Sequence, residues 1–120
     1  IISDSIYAKT DTPHPRMFGA FPKVIREYVN ERGLYTMNEA IKRITSQPAA
    51  RMGIAGRGSL VEGNFADVLV FDPKEFRDNA TFTDSAKLAT GLAYAIVNGE
   101  IALKDDQLTG VKAGMNIRRS

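Results

Sequence analysis

Between positions 92 and 106 the chain reads LAYAIVNGEIALKDD, two strand-like apolar runs separated only by Asn98-Gly99. A two-residue turn between right-twisted strands demands positive φ, and both residues of this pair tolerate it. No other stretch restricts the fold as tightly, because it dictates an antiparallel hairpin and hence a sheet in the C-terminal half. A further strand is expected over 66–71, where an apolar, β-branched run with one charge near its start ends at Asp72-Pro73. That strand reads as buried. Glycines at 56, 58 and 63 mark turns ahead of it, and the stretch 73–91 is polar and irregular, with ATFTDSAK inside it reading as a surface loop. The tail GVKAGMNIRRS supplies at most one more short strand.

The N-terminal half has a different period. In FPKVIREYVNERG the apolar residues Val24, Ile25, Tyr28 and Val29 recur at helical spacing, with Pro22 suited to a first turn and Gly33 to the position past the end. This predicts a helix over 22–32. Thr36 followed by Glu39 forms a capping-box pattern ahead of Ala40, Ile41 and Ile44, which predicts a second helix over 37–46. Pro48 opens a short helical piece over 49–52, and Gly53 ends it. Residues 1–4 run from two isoleucines into Ser3 and Asp4, as the last residues of a buried strand would. Residues 5–22 carry three prolines and are expected to form a long irregular loop. Tyr7, Phe18 and Phe21 within it need burial, so the loop should lie against the rest of the protein. The fold class is α+β.

Charge and composition remove several classes of function. Sixteen basic residues oppose fourteen acidic ones, and the excess of +2 is scattered, which gives no basis for a nucleic-acid or membrane partner. The absence of cysteine excludes disulfides and thiol nucleophiles and suits a cytoplasmic setting. No apolar run approaches the roughly 20 residues that cross a bilayer. With neither an initiating methionine nor a leader pattern, Ile1 is expected to lie inside a longer polypeptide.

Few residues carry chemistry. Asp4 closes the first apolar run, where it either caps a turn or serves a site at a strand end. His14, the single histidine, sits between two prolines and is a loop residue bonded to backbone or a metal ligand. Arg16 either makes a surface ion pair or grips a carboxylate with its planar fork. The glycine-rich GIAGRGSLVEG lacks the lysine and hydroxyl residue of a phosphate loop and reads as turns. Asp105-Asp106 reads as a solvated hairpin end. Asn79-Ala80-Thr81 fits a glycosylation acceptor pattern but has no secretory signal to support it.

Several motifs follow one another in order: SD closing a strand, HPR, FPKVIREYV, ITSQPAARMGIAGRGSLVEGNFADVLVFDP, ATFTD and YAIVNGEIALKDDQLTGVKAGMNIRR. Together they resemble the C-terminal end of an N-acyl-D-amino-acid deacylase, of the D-aminoacylase group in the amidohydrolase superfamily. The G.L..G..ADVLVFDP and VNG elements mark only the superfamily, whereas HPR with FPKV, and ATFTD, mark the deacylase group. One departure is that Ile2 stands where the group usually has glycine ahead of Ser3-Asp4, with Ser5 following. The resemblance implies a zinc-dependent (β/α)8 barrel joined to a small β-sandwich built from both ends of the polypeptide. Residues 1–53 would then be the end of the barrel, with 1–4 the close of its eighth strand, and 54–120 part of the sandwich. It also implies hydrolysis of the amide bond of N-acyl-D-amino acids.

In that family the aspartate matching Asp4 lies beside zinc, as a candidate ligand, and moves a proton from the metal-bound water to the leaving amine. Ser3, His14 and Arg16 are the implied substrate-binding residues, Arg16 for the substrate carboxylate. Zinc needs about three protein ligands, and one histidine cannot supply them, so the 120 residues alone are expected to be inactive. The implied partners are the small-molecule substrate and the remainder of the polypeptide, with room for a homo-oligomer. Two other readings stay open: a hydantoinase-like or dihydroorotase-like cyclic amidase, and a non-catalytic structural or assembly module.

Overall fold

A computed structural model describes residues 1–5 and 12–118. Four helical segments precede a four-stranded sheet, an α+β arrangement. Tyr7 lies outside the described residues. Helix α1, Arg16–Lys23, runs without a break into a π-helical segment, Val24–Glu31. Helices α2, Met37–Ile44, and α3, Ser46–Met52, follow.

The first helix begins six residues earlier than the sequence pattern predicts, and Pro22 lies inside it rather than in its first turn. Pro15 provides the start, since its fixed φ of −51° is already helical. Pro22 has no N–H to donate to the preceding turn. Directly after it the helix widens, and the Arg32 N–H reaches the Glu27 carbonyl five residues back at 2.8 Å. Of the rings expected to need burial, Phe18 is half-buried and Phe21 is 41% exposed.

The other two helices are present, with α2 ending two residues before the expected 46 and α3 starting at Ser46, three residues before the expected 49, so that Pro48 lies within its first turn. Thr36 accepts the Glu39 N–H through its hydroxyl while the Glu39 carboxylate accepts the Thr36 N–H at 2.8 Å, so both halves of the capping box are made. Gly53, at φ 67°, closes α3 in the left-handed conformation that favours glycine.

The sheet is an antiparallel meander of β1, Val68–Phe71, β2, Leu92–Val97, β3, Glu100–Lys104, and β4, Gln107–Leu108, in that order. Asn98 and Gly99 form the predicted turn with φ of 50° and 87°. Asp105-Asp106 makes a second two-residue turn at φ 48° and 60° and leads into β4, which lies ahead of the tail; the described tail residues, 110–118, form no strand. Residues 1–5 form no strand, because no described segment offers them a ladder partner. The strand over β1 is not buried as expected: Leu69 is 54% and Val70 46% exposed. A single sheet is present among the described residues.

The core is small. Val24, Ile25, Ala40 and Phe76 are buried together, with Tyr28, Tyr35, Ile41, Phe71 and Leu92 packed against them. It therefore joins the π-helical segment and α2 to the loop after β1. The chain exposes 8624 Å2, against about 6,400 Å2 for a compact monomer of this mass. The excess is consistent with the apolar side chains left on its surface.

Candidate functional site

The start of α1 gathers three of the four candidate residues. Arg16 is its first residue, and its Nε donates to the Asp4 carbonyl at 2.9 Å while Nη2 lies 3.3 Å from Asp4 Oδ2. Asp4 itself has φ 47°, a backbone state uncommon outside glycine and one that recurs at functional sites. The Arg16 backbone N–H donates to His14 Nδ1 at 3.1 Å. This contact satisfies one of the orphan N–H groups at the helix start and leaves Nε2 to carry the proton in the neutral imidazole. Ser3 is half-buried, and its carbonyl accepts the Ser5 hydroxyl at 3.4 Å. Among the described residues its own hydroxyl makes no bond to the other three.

His14 thus has the backbone bond that a loop histidine has, and Arg16 has its ion pair. Both are exposed, and so is Asp4, whose side chain is 70% open to solvent. Exposed pairs contribute little to stability. The pair's effect is to hold a carboxylate and a guanidinium at one point, with Arg16 Nη1 free of any partner among the described residues.

The loop after β1 completes the surroundings. Arg26, on the π-helical segment, binds Asp78 through Nε at 2.6 Å and Nη2 at 3.3 Å, and reaches Glu31 at 2.8 Å. The hydrogen bond to Asp78, then that to Glu31, raises the Arg26 pKa further above its ordinary value. Gly19 lets this seam close, since a Cβ there would lie 2.9 Å from Asp78 Cβ. Phe82 is carried to the imidazole of His14, edge to face at 5.1 Å and 83°. A cavity of about 160 Å3 is lined by His14, Arg16, Gly19, Lys23, Asp78 and Phe82.

ATFTD is a surface loop, as its composition suggests, but composition hid its role. Arg26, Asp78 and Phe82 meet residues 52 and 68 positions away, and the one signal available was an aromatic ring set among polar neighbours.

A larger cleft of about 520 Å3 lies between α2, α3 and β1 and is walled by Ile25, Ile41, Ile44, Val68, Leu69 and Phe71. Its ionic residues are tied to each other: Arg57 pairs with Asp67 and stacks on Phe65 at 4.1 Å. It offers apolar surface rather than chemistry.

The sequence profile of the Amidohydrolase family matches residues 3–103. This chain belongs to the amidohydrolase family. It is 40% identical over 110 residues to a D-aminoacylase of Alcaligenes xylosoxydans xylosoxydans, covering 92% of this chain and 23% of the relative. A D-aminoacylase crystal structure superposes with a TM-score of 0.92 at 37% identity, over 98% of this chain and 24% of that one. An N-acyl-D-glutamate deacylase from Bordetella bronchiseptica, solved with zinc and a phosphonate mimic of the tetrahedral intermediate, gives 0.74 at 42% identity over 76% and 19%. The chain thus spans about a quarter of the length of these relatives.

The residues of this amidohydrolase chain do not by themselves fit a zinc centre. Among the described residues no group of three His, Cys, Asp or Glu side chains comes together to hold a metal ion. Asp4 and His14 are at most two donors, and about three are needed. Among the described residues, no helix is long and apolar enough to cross a membrane.

Proposed function

We propose that the chain is the C-terminal part of a zinc-dependent amidohydrolase that hydrolyses the amide bond of N-acyl-D-amino acids. The observation that carries this reading is the superposition of nearly the whole chain on a D-aminoacylase. In this reading residues 1–53 close a catalytic barrel, residues 54–120 contribute to a small β-sandwich, and zinc takes donors from outside these 120 residues. The open face of β1 and the excess of exposed surface support a larger body around the chain. A cysteine-free chain suits the cytoplasm, where we place the reaction.

Asp4 is the proton carrier. Amide hydrolysis adds water to the carbonyl carbon and breaks the C–N bond, which requires a proton to leave the water and another to reach the departing nitrogen. One positioned carboxylate performs both transfers in turn. Arg16 is the substrate anchor, since its fork retains N–H groups for a carboxylate while holding Asp4. Ser3 and His14 complete the substrate contacts.

The test is turnover of N-acetyl-D-amino acids by the intact protein. Asp4→Ala is expected to abolish release of the free amino acid while metal content is unchanged, and Arg16→Lys to raise KM strongly. Turnover that survives Asp4→Ala removes Asp4 from the mechanism, and an unchanged KM discards the anchor. Hydantoin and dihydroorotate run alongside separate this reading from a cyclic amidase.

A further inference from the structure

The loop that presents Phe82 is firmly held. Asp78 is clamped by Arg26 and packed on Gly19. The Asn79 amide donates to the Leu88 carbonyl at 2.9 Å, the Thr81 N–H to the Asp84 carbonyl at 2.9 Å, and Ser85 is buried. Yet Phe82, between these anchors, is 79% exposed. A ring so open gains little from burial. Its one ring partner among the described residues is His14.

His14 is thereby held from two sides. Its Nδ1 is occupied by the Arg16 N–H and its ring packs against Phe82, which fixes the imidazole plane and leaves Nε2–H as the remaining ring donor. We propose that Phe82 is a positioning residue that orients the His14 imidazole so that its Nε2 donates a hydrogen bond to the oxygen atoms of the N-acyl amino acid. This rests on the substrate role given to His14 above. It adds a residue that acts through another and touches no reacting atom.

The size of the effect follows from the pair. An aromatic edge-to-face contact contributes about 0.5–1.5 kcal/mol, which converts to roughly a 2–12-fold change in binding. A lost ground-state contact appears in KM and leaves kcat unchanged. The experiment uses the intact protein and Phe82→Leu, Phe82→Tyr, His14→Gln and the Phe82→Leu/His14→Gln double variant. Phe82→Leu is expected to raise KM within that range at constant kcat and melting temperature, and Phe82→Tyr to keep the wild-type value. In the His14→Gln background, Phe82→Leu is expected to add nothing. An unchanged KM in Phe82→Leu overturns the proposal, as does an undiminished effect in the double variant. A second readout needs no activity: the imidazole C–H proton resonances of His14, identified by their loss in His14→Gln, should move in Phe82→Leu as the ring current disappears. If the intact protein hydrolyses no N-acyl amino acid, the function proposed above fails, and an unmoved His14 resonance then overturns the positioning role by itself.

Discussion

Gly91 stands where the loop after β1 returns to the sheet, and Gly91→Ala should separate the two. A Cβ at this position would lie 2.5 Å from the carbonyl carbon and oxygen of Glu75 and from the Phe76 nitrogen. Ordinary contacts between such atoms are about 3.5–4.0 Å, so the Glu75–Phe76 peptide has to move by roughly 1 Å. That peptide is not free to move. The Phe76 ring is buried, its N–H donates to the Asp72 carbonyl at 2.9 Å, and the next residue, Arg77, exchanges both backbone bonds with Thr90. Overpacking of this kind costs about 1–3 kcal/mol, and the φ of 94° adds about 1–2 kcal/mol for any residue with a Cβ. The expected loss is about 2–5 kcal/mol. Gly99→Ala is the control: its φ is 87°, but nothing lies within 4 Å of the new Cβ, so only the backbone part applies. Urea denaturation of the two variants of the intact protein at equal pH measures the difference. Equal losses in both would refute the reasoning, since the close approach at Glu75 would then contribute nothing.

The remaining predictions concern the anchors around the same loop and sheet. Asp106 accepts the N–H groups of Gly91 and Leu92 at 3.0 and 2.8 Å, so Asp106→Ala leaves two part-buried donors unpaired and should lower stability by about 1–3 kcal/mol, read from the denaturant midpoint. Arg26→Lys replaces a two-pronged contact to Asp78 by a single point charge and is expected to cost about 1–2 kcal/mol in the same measurement. Burial pushes the Asp67 carboxyl up, but the Asn98 N–H and the Arg57 guanidinium outweigh it and hold the group below its ordinary value. A carboxyl held low when folded stabilises above its unfolded pKa of about 4 and loses that contribution as the pH falls further. Denaturant midpoints should therefore decline below about pH 4, less steeply in Asp67→Asn; parallel declines would exclude Asp67 as a source.

What could be read in the sequence was local. The capping box at Thr36 and Glu39, the Gly53 terminus and the Asn98-Gly99 turn each need only neighbours within four residues, and all are present. The start of the first helix was missed because Pro22 and Pro15 offer the same local signal, and only packing of the Arg16–Lys23 turns decides between them. The burial of β1 was misjudged because an apolar strand signals a need for cover without naming its source. Asp4, His14 and Arg16 were visible as residue types within a short stretch, and Ser3 beside them was not drawn into the cluster. Asp106, read as a solvated turn, in fact supports the start of β2. Its partners lie 14 and 15 residues away, beyond any local pattern.

Phe76 and Phe82 show how one segment carries both a core ring and a surface ring. They are six positions apart in a single irregular stretch, yet one is 6% exposed and the other 79%. Phe76 points into the core with Val24 and Ile25, and burying such a ring contributes about 2–3 kcal/mol. That contribution fixes the segment against the π-helical turn. Between the two rings, Asp78 binds Arg26 on the same helical run that carries Arg16 at its start. The helix and the loop are therefore braced twice before the chain reaches Phe82, whose own exposure gives it almost nothing to gain from folding. A ring in that position is placed by its neighbours, and the neighbour it meets is the histidine bonded to the first turn of α1. The placement of His14 beside Asp4 and Arg16 thus draws on a core phenylalanine and a clamped aspartate more than fifty residues away, with Gly19 on α1 letting the helix and the loop close.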